Sequence, residues 1–148
     1  MAKFPELDYR FNHRMPKSLK GFCKGNIIYL NPKQSSEELS GTLAEEIAHY
    51  LTSVGDITLL DTNEKRKQEQ KARDLGATMV VSPADYIDCF NQRLSTMWEC
   101  AEYLGITVET LNEATSVYAL WNDGKLNHED YTIWFRANGT VDVVKWFN

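Results

Sequence analysis

The sequence predicts an α+β fold in a single compact domain, residues 1–148, in which a small antiparallel sheet or hairpins pack with several helices. β-rich runs with turn signals lie near residues 18–31 and again at 128–148, and the stretch between them repeats apolar residues at helical spacings of three and four. The chain has 148 residues with a hydrophobic fraction of 43%, so it can bury a core without disulfides. We divide it into a core at about 18–81, a helical part at 82–120 and a C-terminal β-hairpin at 128–148.

Composition narrows the class of protein and the compartment. The formal net charge is −5, and the lysines and arginines are scattered, so no basic surface for nucleic acid is expected. The three cysteines fit no metal or redox spacing, which indicates free thiols in a reducing cytoplasm. No signal peptide and no run of about eighteen apolar residues is visible, so no membrane contact is expected.

The first elements have local start and stop signals. Residues 18–33, SLKGFCKGNIIYLNPK, are predicted to form a hairpin around Lys24-Gly25-Asn26, with a strand over Ile27–Leu30 that ends at the following proline. Ser35 with Glu38 three residues later is a capping box that opens the first helix. The apolar positions of this helix are Leu39, Leu43, Ile47, Tyr50 and Leu51.

The remaining elements follow from the same signals. Asp61 or Thr62 caps a second helix, whose inner stripe is Gln68, Ala72, Leu75 and Met79. Ser82-Pro83 opens a third helix, and helical periodicity continues from there to Gly105. Thr107 caps one more helix, and Asn138-Gly139 predicts the turn of the final hairpin.

The stretch LAEEIAHYL, Leu43 to Leu51, contains the residues suited to chemistry. Glu45 and His49 are four apart on the predicted helix, so both project from one side and can reach one ion. Glu46 lies at the margin of the apolar stripe, which is the place of the general base in the zinc-peptidase pattern H-E-x-x-H. On spacing alone, an ordinary acidic helix with an isolated histidine is the commoner arrangement, because E-E-x-x-H is a weak pattern.

A catalytic tetrahedral site needs a third protein ligand and keeps one position open. Glu69, at the edge of the second helix's inner stripe, is the best candidate, and Asp56 and Asp61 remain alternatives. Glu69 could instead form an ordinary helical ion pair with Arg73, worth only about 0.3 kcal/mol.

Three segments in order resemble the ImmA/IrrE family of metallo-endopeptidases, particularly its short prophage and mobile-element members. They are LKGFCKGNIIYLNPKQSSEELSGTLAEEIAHYLTSVGDI, KQEQKARDLGA and VSPADYI, and together they cover about residues 18–90. Several motifs in sequence are much more specific than the helix pattern alone. The resemblance implies a zincin-like core with an active-site helix and a following helix that carries a glutamate.

The resemblance also implies a role for each matching residue. Glu45 stands at the first metal ligand, Glu46 at the general base, His49 at the second ligand and Glu69 at the third. Glu45 is the departure, because the family's motif has histidine there. A carboxylate can bind zinc, but two carboxylates would cancel the charge of the ion and weaken it as a Lewis acid. Zn²⁺ is the expected cofactor, with Mn²⁺ or another divalent ion as the alternative.

By the same resemblance, the activity is metal-dependent peptide hydrolysis of a protein substrate, such as a helix-turn-helix repressor of a prophage or mobile element. Asn26, Ile27, Ile28 and Tyr29 are then expected to lie on the sheet edge along which an extended substrate pairs. Two alternatives stay open. One is a non-catalytic interaction protein of the same fold, in which Glu45 has ended metal binding, and the other is a DNA-binding regulator, which the net charge disfavours.

Overall fold

The computed structural model describes residues 4–52 and 61–146, and its helices and two small sheets confirm the α+β class. By internal contacts the chain divides into two compact units, residues 1–76 and 77–148. That residues 1–148 form a single domain stays a prediction. The elements of the described ranges are, in order, β1 (Asp8–Phe11), β2 (Gly21–Lys24), β3 (Ile27–Leu30), α1 (Ser36–Thr52), α2 (Thr62–Val80), α3 (Pro83–Asn91), α4 (Met97–Leu104), α5 (Val108–Trp121), β4 (Lys125–His128), β5 (Tyr131–Phe135) and β6 (Val141–Lys145).

The sheet of the first unit has the strand order β1-β3-β2. The predicted hairpin is confirmed, because β2 and β3 pair antiparallel with Lys24 opposite Ile27. Gly25 in the turn has φ of 62°, a left-handed conformation that favours glycine. The sequence did not predict β1, which pairs parallel to β3 with Asp8 opposite Ile27. The sheet is therefore mixed and not purely antiparallel.

The central position of β3 corrects the predicted substrate edge. Ile27, Ile28 and Tyr29 pair with β1 on one side and with β2 on the other, so their strand has no free edge. The carbonyl of Asn26 accepts a hydrogen bond from the backbone N–H of Asp8 at 2.9 Å. The prediction that these four residues form the edge for an extended substrate is wrong, since a further strand can pair only with an outer strand.

Helix α1 begins as the sequence predicts. The Oγ of Ser35 accepts from the backbone N–H of Glu38 at 3.1 Å, and the N–H of Ser35 donates to Oε1 of Glu38 at 3.2 Å, which completes the capping box. The helix packs on the sheet around a core of Leu7, Ile28, Leu30 and Ile47, joined by Leu39, Leu43 and Tyr50. Leu51 was also predicted on this face, but it is 46% exposed, so that assignment is wrong.

Helix α2 begins after Asp61, whose Oδ1 accepts from the backbone N–H of Glu64 at 2.8 Å. Of the predicted inner stripe, Ala72 is fully buried, whereas Met79 is 37% exposed. The buried residues near the end of the helix are Gly76 and Ala77. Near the end of the helix, the buried positions are therefore small residues and not Met79.

The helices of the second unit are more broken than predicted. α3 begins at Pro83, as expected, but the helical periodicity does not continue unbroken to Gly105. The chain leaves α3 through Arg93, which has a left-handed φ of 58°, and restarts at α4, where Oγ1 of Thr96 caps the helix. Thr107 caps α5 as predicted.

The C-terminal sheet has three strands in the order β4-β5-β6. The predicted hairpin joins β5 and β6, with Phe135 opposite Val141 and Gly139 at φ of 87° in the turn. β4 is an additional strand that pairs antiparallel with β5. A second core lies under this sheet, with Ile133 and Phe135 packed on residues of α3, α4 and α5.

Of the helices in the described ranges, none is both long enough and apolar enough to cross a bilayer.

Candidate active site

The candidate site is formed by one turn of α1 and the middle of α2, both within the first unit. The Nε2 of His49 lies 3.8 Å from Oε1 of Glu45 and 3.4 Å from Oε2 of Glu69. One ligand atom from each of the three side chains lies within 4.8 Å of the other two. Among the described residues this is the one group of three or more histidine, cysteine, aspartate or glutamate side chains close enough to share an ion.

The donor atoms fit a divalent ion in their chemistry and spacing. Zinc is bound at about 2.0 Å by histidine nitrogen and carboxylate oxygen, and a tetrahedron with such bonds has edges of about 3.3 Å. The separations of 3.4 and 3.8 Å at His49 are close to that edge length. One imidazole and two carboxylates also suit manganese, which prefers oxygen ligands. The three residues therefore could hold a metal ion, and their roles as ligands stay a prediction.

Glu46 is the buried carboxylate of the site. Its side chain belongs to a residue that is only 8% exposed, and burial raises its pKa to about 7. The nearby positive charge of His49 opposes this increase in pKa, whereas the carboxylates of Glu45 and Glu69 add to it. A base with a pKa near neutrality accepts and returns protons efficiently, so the environment of Glu46 suits a general base.

Glu45 and His49 stabilise each other's charged form. Contact with His49 lowers the pKa of Glu45, and Arg73 contributes to the same direction. The carboxylate of Glu45 is the main cause of the raised pKa of His49, and burial opposes it. An ion pair with Arg73 was the alternative for Glu69, but Glu69 contacts His49 instead. Arg73 therefore adds positive charge beside Glu45.

Asp61 and Asp56 were the alternatives to Glu69 as the third ligand. Asp61 caps α2 through its carboxylate and does not belong to the Glu45, His49 and Glu69 group. Asp56 lies outside the described residues. Glu69 is therefore the acid that the described structure brings to the pair on α1.

Strand β2 supplies neighbours of Glu46 that the sequence did not reveal. A Cβ placed on Gly21 would lie 3.4 Å from Cγ of Glu46 and 2.8 Å from Cγ2 of Thr42, so β2 passes directly over α1. Cys23 lies two residues along the same strand, and burial together with the charge of Glu46 raises the pKa of its thiol. A glycine inside a short strand often marks such a close approach, which was the available signal.

Comparison with known proteins assigns the chain. A family model described as peptidase M78, IrrE N-terminal-like domain, matches residues 2–116. The chain belongs to the M78 family. This match covers most of the chain and confirms the resemblance to ImmA/IrrE proteins. No curated protein and no solved structure matches the chain significantly.

Membership of the M78 family supports a metallopeptidase-like fold, hydrolase chemistry and a metal cofactor in general. The Glu45, His49 and Glu69 group is a possible location for that metal.

Proposed function

We propose that this M78 protein is a metal-dependent endopeptidase that works with the ligands Glu45, His49 and Glu69 and the general base Glu46. The observation that carries the proposal is the convergence of one imidazole and two carboxylates from two helices, next to a buried third carboxylate. Glu45 and His49 come from α1, and Glu69 comes from α2. The family match adds independent support.

A divalent ion bound here would supply a Lewis acid that polarises the scissile carbonyl and makes water more acidic. The side chains of the protein transfer the proton and hold the ligand atoms in place. Glu46 accepts a proton from the attacking water and returns it to the leaving amine. The carboxylate of Glu45 lies 3.8 Å from Nε2 of His49, so the two side chains present their ligand atoms to the same space.

We place substrate binding on the outer edge of β2. In the antiparallel register, backbone groups of Phe22 and Lys24 face β3, so those of Gly21 and Cys23 face outward. The side of Gly21 that faces α1 lies next to Glu46. An extended peptide that adds to this edge would pair with Gly21 and Cys23 and pass close to the general base.

The metal, the substrate and the cellular location of the protein are also proposed. Zn²⁺ is the proposed ion, with Mn²⁺ as the alternative, since two of the three ligands are carboxylates. The proposed substrate is a helix-turn-helix repressor of a prophage or mobile element, cut in the cytoplasm. The family resemblance is the support for that substrate class.

The test combines metal content with cleavage. Protein purified without chelator should contain about one divalent ion per chain, and Glu45→Ala and His49→Ala should each lose it. Glu46→Gln should keep the ion but lose cleavage of a proteome-derived peptide library by at least about 100-fold, as expected when a general base is removed. Full cleavage by Glu46→Gln would remove Glu46 from the mechanism. A wild-type protein without metal or cleavage would favour a non-catalytic interaction protein.

A further inference from the structure

We propose that Gly76 is a positioning residue, which lets α2 approach α1 closely enough for Glu69 to reach the ion-binding group. This inference rests on the proposed function, because it concerns the third ligand of that site. It assigns a role to a residue that carries no chemistry of its own.

The approach of the two helices at Gly76 involves backbone atoms. A Cβ on this glycine would lie 2.9 Å from both Cα and N of Glu45 and 3.1 Å from the carbonyl carbon of Ala44. Carbon atoms in ordinary contact are about 3.5–4.0 Å apart. Backbone atoms cannot rotate away as the end of a flexible side chain can. A side chain at position 76 therefore requires the helices to separate.

The contact at Gly76 is on the same face of α2 as the proposed ligand. Glu69 is seven residues earlier, which is about two helical turns and about 10 Å along the axis. Ala72, between them, is fully buried, so a stripe of small residues runs from the contact to the ligand. On α1, Glu45 faces Gly76, and His49 one turn later contacts Glu69. The two helices thus run in opposite directions across the site, and their spacing at Gly76 sets how far Glu69 must reach.

Glu69 depends on this spacing because little else fixes it. Its side chain is 50% exposed, and its ion pair is with His49 at 3.4 Å. Metal–ligand distances tolerate only about 0.2 Å of error, so a displaced helix costs affinity unless the side chain can compensate. A single added methyl calls for a small displacement. A leucine at position 76 requires a larger displacement of α2, and the side chain of Glu69 is too short to make up that distance to the ion.

The experiment measures the zinc affinity of the full chain by competition with a chromophoric chelator. Gly76→Leu should bind Zn²⁺ about 10- to 100-fold more weakly than the wild type, the usual cost of disturbing the support of a ligand. Gly76→Ala should be weaker by a smaller factor. The matched control is Gln70→Leu, which adds the same side chain on the exposed face of α2 and should stay within about threefold of wild type.

A double-mutant cycle separates positioning from general damage. In a Glu69→Gln background, Gly76→Leu should change the affinity by less than about threefold, because the ligand it displaces is already absent. An equal loss in both backgrounds would overturn the inference, and so would wild-type affinity in Gly76→Leu. If Gly76→Leu does not fold by circular dichroism, Gly76→Ala carries the same cycle. A wild-type protein that binds no zinc or manganese overturns the proposed function together with this inference, whereas metal binding unaffected by position 76 overturns the inference alone.

Discussion

Asn31 is a buried polar residue that ties the N-terminal loop to the end of β3. It is 1% exposed, and its Nδ2 donates to the carbonyls of Pro16 at 3.0 Å and Leu19 at 2.8 Å. Its Oδ1 accepts from the backbone N–H of Lys33 at 2.9 Å. One side chain therefore satisfies three backbone groups that no strand or helix pairs.

We expect Asn31→Ala to lower the free energy of unfolding by about 2–3 kcal/mol, because it removes three hydrogen bonds between a buried side chain and the backbone. Urea denaturation of the full chain measures the loss. The control is Asn12→Ala, which removes one exposed hydrogen bond to the backbone N–H of Arg14 and should cost less than about 0.5 kcal/mol. Equal losses in the two variants would contradict the role assigned to Asn31.

Glu46 predicts a pH dependence of stability in the metal-free protein. Its pKa in the folded state is about 7, above the value of about 4.3 expected when unfolded. Between these values the native state binds more protons than the unfolded state, so stability falls as pH rises through this window. A glutamine side chain does not ionise, so it adds no such pH dependence to the stability. In chelator, Glu46→Gln should therefore raise the free energy of unfolding at pH 8 by on the order of 1–3 kcal/mol relative to its effect at pH 5.

Urea denaturation at the two pH values measures this difference. Glu102→Gln, at an exposed position of α4, is the control and should show little change between them. An effect of Glu46→Gln that is the same at pH 5 and pH 8 would show that burial does not perturb the carboxyl group.

The residues of the candidate site were predictable to different degrees. Helical spacing places Glu45 and His49 side by side. Its position at the edge of the second helix's inner stripe makes Glu69 the best third ligand, and the family resemblance implies the same residue. The close approaches of Gly21 and Gly76 were not predicted. They depend on which faces of separate elements meet, and the sequence near a glycine does not encode that partner.

At the level of elements, β2 is the feature that links the sheet to the proposed chemistry. The backbone N–H of Cys23 faces outward from the sheet in the observed register, so proline at this position should be compatible with the fold. It would remove one donor that an added peptide strand uses. We expect Cys23→Pro to raise KM about 5- to 10-fold for a peptide found in the library, with a smaller change in kcat, since one lost hydrogen bond costs about 1 kcal/mol.

Steady-state cleavage assays check this prediction, and Cys23→Ala separates the backbone donor from the thiol. Cys23→Ala should keep a KM near that of the wild type. If both variants raise KM equally, the side chain and not the backbone edge contacts the substrate. Wild-type kinetics in Cys23→Pro would remove the β2 edge from substrate binding.

Elements with local signals were predicted well, and those without them were missed. The capping box at Ser35, the turn at Gly25 and the cap at Thr107 are encoded within a few residues. β1 has no turn next to its partner, because parallel strands need a longer connection. The break between α3 and α4 runs through Arg93 in a left-handed conformation, where a glycine would have been the usual signal.

At the scale of the whole molecule, all three proposed ligands belong to the first unit, residues 1–76. Anything that binds only the native state stabilises it by mass action. Zinc at 100 times its Kd should add about 2.7 kcal/mol, which corresponds to a rise in Tm of roughly 5–10 °C for a chain of this size. EDTA should reverse the rise, and His49→Ala should abolish it.

The same binding should protect backbone amides unevenly, because the ion would join α1 to α2 directly. In hydrogen exchange followed by mass spectrometry, peptides from residues 36–52 and 62–76 should exchange more slowly with zinc than with EDTA. Peptides from residues 125–145 contain none of the ligands and should change less at short exchange times, when local opening dominates. Two outcomes would show that the ion binds somewhere other than between α1 and α2, the helices that the M78 family match covers. One is slower exchange confined to residues 125–145, and the other is slower exchange that persists in His49→Ala.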